Sequence, residues 1–287
     1  MEDKLYEMLV VGSGPAGLSA AINGRVRNKE VLVVGGESSS PRLAKAPRVD
    51  NFLGSPGLAG ADLRDRFLSH AREMEVPVKF EMATAIYPMG EEFSVQVKGD
   101  MIRSRTVILA TGVAQTGYLP GERELLGRGV GYCATCDGPL YRNKDVAVLA
   151  FTPEAREEAN FLAEICDQVY YLPFHREKVS LTRKIRVVDQ KLTAIAGTDA
   201  VTGLQLGDEL LPVSGVFIIR PVMPMEQLAP GLELREGTIR VERDMSTNIP
   251  GLFAAGDCTG NPFQLAKAVG EGLVAAFSAV RYLDRHI

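Results

Sequence analysis

The sequence predicts an α/β protein with doubly wound parallel sheets, on the basis of three observations. An apolar run from Tyr6 to Val11 is followed by a glycine-rich turn and an alanine-rich stretch to about Val26, which is the pattern of strand, tight turn and helix. Val31 to Val34 then forms a short apolar strand that completes a βαβ unit. A second cycle of strand, helix and strand begins at Val146, so the fold contains two such units.

The second cycle places a strand at Val146 to Leu149, a helix from Pro153 to about Cys166 and a strand at Val169 to Leu172. At the start of this helix, Thr152 suits the N-cap and Pro153 the first helical position. The remaining predicted elements are strands at Val76 to Phe80, Phe93 to Val97, Val107 to Ala110 and Leu252 to Ala255, and a helix from near Pro262 to about Leu283.

Composition excludes several classes of partner. The 287 residues carry a net charge of -4, which gives no basic field for nucleic acid or anionic lipid. No apolar run approaches the roughly 20 residues of a membrane span, and Met1-Glu2-Asp3-Lys4 does not resemble a signal peptide, so we expect a cytoplasmic protein. Of four cysteines only Cys133 and Cys136 are close, which in a reducing compartment indicates redox chemistry rather than a metal site.

The turn between the first strand and helix, Gly12 to Gly17, predicts a dinucleotide site. Gly12 permits the turn, Gly14 lets backbone approach a pyrophosphate, and Gly17 lets the helix pack on the strand. The helix start offers free N–H groups to phosphate, although a purely structural turn is the alternative. Glu37 is the candidate acid for the ribose, despite lying beyond the usual position. The residues expected at this turn are Gly12, Gly14, Pro15, Ala16 and Gly17.

The run from Gly127 to Gly138 contains Cys133-Ala134-Thr135-Cys136 followed by Asp137. Two thiols at this spacing can form a disulfide that closes a small ring. In exchange with another disulfide, the thiolate and not the thiol is the nucleophile. Together with Asp50 to Gly54, Leu119 to Glu122 and Gly256-Asp257, the run resembles the low-molecular-weight thioredoxin reductases along nearly the whole chain. The resemblance implies that Cys136 faces a flavin, that Cys133 attacks a protein disulfide, and that Asp137 donates and accepts the proton.

The same resemblance implies that FAD is the cofactor and that the protein is a homodimer. The paired motifs Val107 to Gly112 and Gly256-Asp257 resemble those with which flavoproteins close around FAD, with Asp257 bonded to the ribityl chain. The FAD domain is expected at residues 1–114 and 243–287, and the inserted central domain at 115–242. Beyond the glycine turn, the cofactor residues implied are Glu37, Asn51, Ala110, Thr111, Gly112, Gly256, Asp257, Phe263, Gln264, Leu265 and Ala266.

The second βαβ unit lacks the features that bind phosphate. Phe151 puts a ring where bare backbone should approach, Pro153 removes an N–H, and Glu154 brings negative charge to the helix start. Phe174 lies where the family has the start of the basic segment that binds the extra phosphate of NADPH. The sequence therefore predicts that NADPH does not bind in the usual pose.

This combination resembles the pyridine-nucleotide-independent, flavin-type ferredoxin-thioredoxin reductases. It implies reduced ferredoxin as electron donor and thioredoxin as electron acceptor, and a flavin suits both one- and two-electron steps. Two alternatives remain, an NADPH-dependent thioredoxin reductase with altered contacts and an FAD-binding redox sensor without turnover. The candidates for a ferredoxin dock are the basic residues Arg42, Lys45 and Arg48.

Overall fold

The computed structural model divides the chain into two compact units, of which the second is inserted in the first. Unit 1 comprises Met1–Val113 and Pro224–Ile287, and unit 2 comprises Ala114–Met223. The described residues are 4–36, 40–112, 118–220 and 225–286. Among them, no helix combines the length and the apolar character needed to cross a bilayer.

The first part of unit 1 follows the predicted order of strand, helix and strand and then continues into an antiparallel meander. Its elements are β1 (Leu5–Val11), α1 (Pro15–Val26), β2 (Val31–Val34), α2 (Pro41–Ala44), α3 (Gly60–Glu73), β3 (Val78–Lys79), β4 (Ala83–Met89), β5 (Glu92–Val97) and β6 (Asp100–Leu109).

Unit 2 repeats the βαβ pattern and adds an antiparallel sheet. Its elements are β7 (Val130–Gly131), α4 (Ala134–Asp137), β8 (Val146–Ala150), α5 (Ala155–Ile165), β9 (Val169–Pro173), β10 (Ile185–Val187), β11 (Leu192–Gly197), β12 (Val201–Leu206), β13 (Glu209–Pro212) and β14 (Gly215–Ile219). The chain then returns to unit 1 with α6 (Met225–Leu228), β15 (Leu234–Arg235), β16 (Thr238–Ile239), β17 (Leu252–Ala254) and α7 (Leu265–Leu283).

The main sheet of unit 1 is parallel in the region that follows the glycine turn. β1 lies between β2 and β6, and β3 pairs with β2, all in parallel. β6 is long enough to pair with the antiparallel β5 along its first half and with the parallel β17 along its second half. β2 and the ends of β1 and β6 are apolar and buried on both faces, as expected of the central strands of a parallel sheet, and β17 pairs with β6 on the far side.

Unit 2 contains a parallel sheet with the order β10-β9-β8-β14-β7 in its described residues. The two parallel sheets have the same arrangement when their strands are counted from one edge. In each, the first strand of the βαβ unit is third, in the orders β3-β2-β1-β6 for unit 1 and β10-β9-β8-β14 for unit 2. Helix α5 covers this sheet with buried alanines and Leu162. The two repeated arrangements confirm the predicted fold class of two dinucleotide-binding domains, one inserted in the other.

The return to unit 1 falls at Pro224, ahead of residue 243 where the sequence places the boundary. The reason is that α6 packs against β4, and β16 against the turn at 257–259, so the intervening chain belongs with unit 1 by contact. Both elements are short and carry no periodic pattern that a sequence reading could assign to either unit.

Candidate functional sites in the two units

The backbone conformation and close packing of the turn in unit 1 require glycine. Gly12 has a φ of +122°, and a Cβ there would lie 2.1 Å from the carbonyl oxygen of Ala110. A Cβ at Gly17 would lie 1.8 Å from the carbonyl oxygen of Gly12, so only glycine lets α1 start this close to the turn. A Cβ at Gly14 would lie 2.8 Å from the hydroxyl oxygen of Ser40, which belongs to a side chain that can move. Gly12 and Gly17 therefore shape the turn, whereas Gly14 meets only a side chain.

Three predicted motifs meet at the carboxyl edge of this sheet. The N–H of Gly12 donates to Val34 (2.7 Å), that of Ala110 to Val11 (2.7 Å), and that of Ala255 to Leu109 (2.8 Å). These bonds bring the glycine turn, the segment of Ala110, Thr111 and Gly112, and the turn of Gly256 and Asp257 to one place, as parallel strands require.

Gly256 and the segment before α7 complete this edge. Gly256 has a φ of +88°, and a Cβ there would lie 2.8 Å from the Cβ of Ala16 in α1. Gln264 is the N-cap residue of α7, and its Oε1 accepts a hydrogen bond from Nδ2 of Asn51 at 3.0 Å. The structure thus places Asn51 beside the predicted segment of Phe263, Gln264, Leu265 and Ala266. Glu37 lies outside the described residues.

A polar clip that the sequence reading missed holds the Gly256 turn to α7. Lys267 donates through Nζ to the carbonyl oxygens of Gly256 (2.8 Å) and Gly260 (2.7 Å). Glu271 accepts from the N–H of Gly256 (2.8 Å) and the hydroxyl of Thr259 (2.9 Å), and it pairs with Lys267 at 3.2 Å. The spacing of four residues between Lys267 and Glu271 on one helix was the available signal.

The residues of unit 1 fit a dinucleotide. Gly14 caps α1 with no side-chain hydrogen bond, and the first turn of this 12-residue helix has no acid, so its N–H groups face no competing carboxylate from that turn. At Gly112, φ is +74° and a Cβ would meet no atom of the described residues within 4 Å, which leaves space beside Thr111 as far as those residues show. A diphosphate needs bare backbone, N–H donors and room, and this edge supplies all three.

In unit 2 the predicted dithiol is a disulfide between Cys133 and Cys136, with an S–S distance of 2.01 Å. Cys133 is the N-cap residue of α4 and is 8% exposed, whereas Cys136 lies in the single turn of that helix. Sγ of Cys133 accepts a hydrogen bond from the N–H of Cys136 at 3.2 Å and lies 3.3 Å from Oγ1 of Thr135. These groups are the ones that would face the sulfur after reduction.

Asp137 lies at the end of α4 with its carboxyl half-buried. Its N–H donates to the carbonyl oxygen of Cys133 at 3.1 Å, so the acid and the disulfide share one turn of chain. A Cβ at Gly131 would lie 2.9 Å from Oδ2 of Asp137, which shows that the carboxyl packs against bare backbone. Burial raises the pKa of Asp137 above its usual 3.8, and the acid therefore keeps its proton to higher pH, as a proton donor requires.

A buried polar network, also missed by the sequence reading, fixes the residue before the first cysteine. Tyr132 donates through its hydroxyl to Oε1 of Glu122 at 2.7 Å, and Arg220 forms a two-pronged ion pair with the same carboxylate at 2.8 and 2.7 Å. Glu122 is 0% and Arg220 6% exposed. The network ties β14 and the Leu119–Glu122 segment to the chain that leads into the disulfide.

At the edge of unit 2 that corresponds to the glycine turn of unit 1, two aromatic rings are stacked. Phe151 and Phe174 have ring centroids 4.4 Å apart and an interplanar angle of 10°. The predicted cap is wrong: α5 begins at Ala155 with Glu154 as its N-cap, not at Pro153 with Thr152. Residues 152–154 instead form a tighter turn, in which the N–H of Ala155 donates to Thr152 at 3.3 Å.

The other cysteines are free and buried, Cys166 in the core of unit 2 as predicted and Cys258 after Asp257. Of the basic residues proposed for a dock, Lys45 is exposed, and Arg48 pairs with Asp50 at 2.8 Å. The side chain of Arg42 lies outside the described residues.

Comparisons with known proteins agree with this arrangement. Residues 6–272 match the family described as pyridine nucleotide-disulphide oxidoreductase. The thioredoxin reductase of Escherichia coli O157:H7 is 33% identical over 98% of this chain and 97% of its own length.

Two solved structures extend the similarity to the fold. A ferredoxin-flavin thioredoxin reductase from Clostridium acetobutylicum is 45% identical, with a TM-score of 0.92 and coverage of 98% of both chains. A thioredoxin reductase from Gloeobacter violaceus is 27% identical, with a TM-score of 0.84 and coverage of 98% of this chain and 95% of that one. The resemblance read from the motifs is confirmed, and the chain belongs to the pyridine nucleotide-disulphide oxidoreductases as a thioredoxin reductase, an oxidoreductase of a flavin-dependent family with a redox-active disulfide.

Proposed function

We propose that the cofactor is FAD, bound by unit 1, and that the electrons for thioredoxin reduction come from reduced ferredoxin rather than NADPH. The cofactor proposal is supported by the glycine turn and strand ends of unit 1, which suit a diphosphate. One observation carries the donor proposal: the stacked Phe151 and Phe174 rings, where the phosphates of a second dinucleotide need bare backbone.

The backbone N–H groups of the two phenylalanines are already bonded. The N–H of Phe151 donates to Ile219 at 2.9 Å, and that of Phe174 donates to Ala150 at 2.7 Å. Arg220 lies over the Phe151 ring at 5.0 Å, and its guanidinium is paired with Glu122. A phosphate at this edge would meet two rings and a cation that a carboxylate already neutralises, so little binding energy is left for NADPH.

The similarity to a ferredoxin-flavin thioredoxin reductase supports the same donor, since it extends over 98% of both chains at 45% identity. When bound, FAD can accept electrons singly and pass them on in pairs. The proposed cofactor residues are those predicted from the sequence, with Asp257 toward the ribityl chain and the start of α7 toward the flavin ring. Glu37 keeps its proposed ribose role on sequence grounds alone.

The cysteines would carry the two electrons to the substrate. The Cys133 thiolate attacks the disulfide of thioredoxin, which forms a mixed disulfide and releases one thiolate of thioredoxin. Cys136 then attacks Cys133, which re-forms the Cys133–Cys136 bond and releases the second sulfur. Asp137 donates its proton to the first departing thiolate, then takes the proton of the Cys136 thiol as that sulfur attacks and passes it to the second. The products are oxidised enzyme and a thioredoxin dithiol that carries two electrons and two protons.

The electron donor is tested by anaerobic titration of the purified holoenzyme, with the absorbance of oxidised flavin as the readout. NADPH should leave the band unchanged, and reduced ferredoxin should bleach it and then support repeated thioredoxin reduction. An NADPH-linked thioredoxin reductase serves as the control that the nucleotide is active. Bleaching by micromolar NADPH would overturn the donor, and bleaching by ferredoxin without thioredoxin turnover would favour the redox sensor.

The roles of the two sulfurs are tested by exchanging each for a hydroxyl. Cys133→Ser should abolish thioredoxin reduction and leave a Cys136 thiolate beside the flavin, seen as a long-wavelength charge-transfer band. If Cys136→Ser gives that band instead, the two roles are reversed. We further propose a homodimer, which light scattering would show as twice the mass of one chain.

A further inference from the structure

Glu158 of α5 places a carboxylate next to the disulfide. Its Oε2 accepts a hydrogen bond from the backbone N–H of Ala134 at 2.5 Å. Ala134 follows Cys133 directly and is fully buried. The carboxylate is therefore held at the peptide unit that joins Cys133 to the rest of the CxxC turn.

This contact affects the two redox states of the sulfurs unequally. In the disulfide both sulfurs are neutral, whereas the reduced pair carries charge whenever one sulfur is a thiolate. A thiolate at Cys133 has the N–H of Cys136 as a donor at 3.2 Å, and the carboxylate of Glu158 is bonded to the next residue in the chain, Ala134. A fixed negative charge nearby disfavours the thiolate. The contact therefore stabilises the disulfide relative to the dithiol.

We propose that Glu158 is a positioning residue that holds the CxxC turn and lowers the reduction potential of the Cys133–Cys136 couple. A lower potential makes the reduced pair a stronger donor to a substrate disulfide. The proposal rests on the redox role of this disulfide and is independent of which donor reduces the enzyme.

Glu158→Gln tests the charge while it retains an oxygen that can accept from Ala134. The holoenzyme is equilibrated anaerobically with mixtures of reduced and oxidised dithiothreitol, in which one reduced dithiothreitol becomes its cyclic disulfide as the protein disulfide becomes two thiols. After an acid quench and unfolding, maleimide labelling gives two labels on the oxidised chain and four on the reduced chain, because Cys166 and Cys258 are free. The equilibrium should shift about tenfold toward the dithiol, which is about 30 mV.

Glu157→Gln is the matched control, since it removes the same charge from an exposed position on the same helix. It should titrate like the wild type, and Glu158→Asp, which keeps the charge, should stay closer to the wild type than Glu158→Gln. Melting curves establish that each variant is folded.

The proposal is overturned by any of three results: no shift in Glu158→Gln, a shift toward the disulfide, or an equal shift in Glu157→Gln. Because dithiothreitol supplies the electrons, these results do not depend on ferredoxin or NADPH. A wrong electron donor and a wrong role for Glu158 are thus distinguishable.

Discussion

Asp137, the proposed proton donor, shows how burial changes the pKa of a single residue. Its pKa is raised by desolvation, so between pH 3.8 and the folded pKa the folded chain binds more protons at this carboxyl than the unfolded chain. The stability of the fold consequently decreases as pH rises through that window, and the loss persists above it. A residue kept at a cost in stability is typical of a functional site.

Replacing Asp137 by Asn should therefore raise the melting temperature at pH 7 while it lowers thioredoxin reduction by about 100-fold, since the proton donor is lost. The gain in melting temperature should shrink as the pH approaches 3.8. Calorimetry at several pH values and steady-state turnover measure the two effects. Asp167→Asn, at an exposed position of the same unit, is the control and should change neither. Equal stabilisation by Asp137→Asn at all pH values would contradict a raised pKa of Asp137 as the cause.

At the level of elements, the start of α1 depends on the absence of a side chain at Gly17. Gly17→Ala forces a Cβ against the backbone of Gly12, which cannot move without opening the turn. We expect a loss of about 3 kcal/mol or more, together with a lower FAD content per chain. The measurements are urea unfolding and the absorbance of released flavin.

Gly270→Ala provides the matched change in α7, where a Cβ would meet no atom within 4 Å. It should gain about 1 kcal/mol from helix propensity and retain the flavin. If both variants lost the same stability, the loss in Gly17→Ala would come from adding a methyl group anywhere in the unit and not from a clash in the glycine turn.

The buried pair of Glu122 and Arg220 gives a second prediction at this level. Arg220→Met leaves the Glu122 carboxylate buried and should cost about 3–5 kcal/mol, whereas Arg240→Met, in an exposed pair with Glu233, should cost about 1 kcal/mol or less. Urea unfolding measures both. A double variant, Glu122→Leu with Arg220→Met, removes the buried charge but also takes the acceptor from the hydroxyl of Tyr132 and the N–H of Leu119, so it should recover only part of the loss. A further loss would mean that these two hydrogen bonds contribute more than the unpaired carboxylate costs.

Elements with strong local patterns were predictable from the sequence and others were not. The apolar strands β1, β2, β8 and β9 and helix α1 lie where the sequence placed them, because parallel strands buried on both faces form continuous apolar runs. The meander strand β4 and the β11–β13 sheet were missed, since half-exposed strands alternate and resemble loops. The start of α5 was misplaced by two residues because Thr152 and Pro153 suit both a cap and a turn.

For the whole molecule, the two units have separate apolar cores, one between α1 and α7 and the other beneath α5. We predict two calorimetric transitions, of which added FAD shifts only that of unit 1. At 100 times the dissociation constant, the ligand adds about 2.7 kcal/mol to the unit that binds it. The apo-protein titrated with FAD in a calorimeter tests this, and an equal shift of both transitions would contradict binding by unit 1 alone.

The parts of the sites that consist of neighbouring residues in the sequence were predictable. The glycine turn, the CxxC with Asp137 and the altered second turn could be read directly from the chain. The contacts of Glu122 with Arg220 and of Glu158 with Ala134 join residues 98 and 24 positions apart, so only the folded structure reveals them. Sequence patterns do not report such pairs because each partner is unremarkable in its own segment.

The clip of Lys267 and Glu271 has a mechanical consequence. Because one lysine and one glutamate bind the backbone on both sides of Asp257, the turn and the first two turns of α7 must shift together or not at all. In the proposed mode of FAD binding, the contacts made by Asp257 and those made by the start of α7 are thereby coupled.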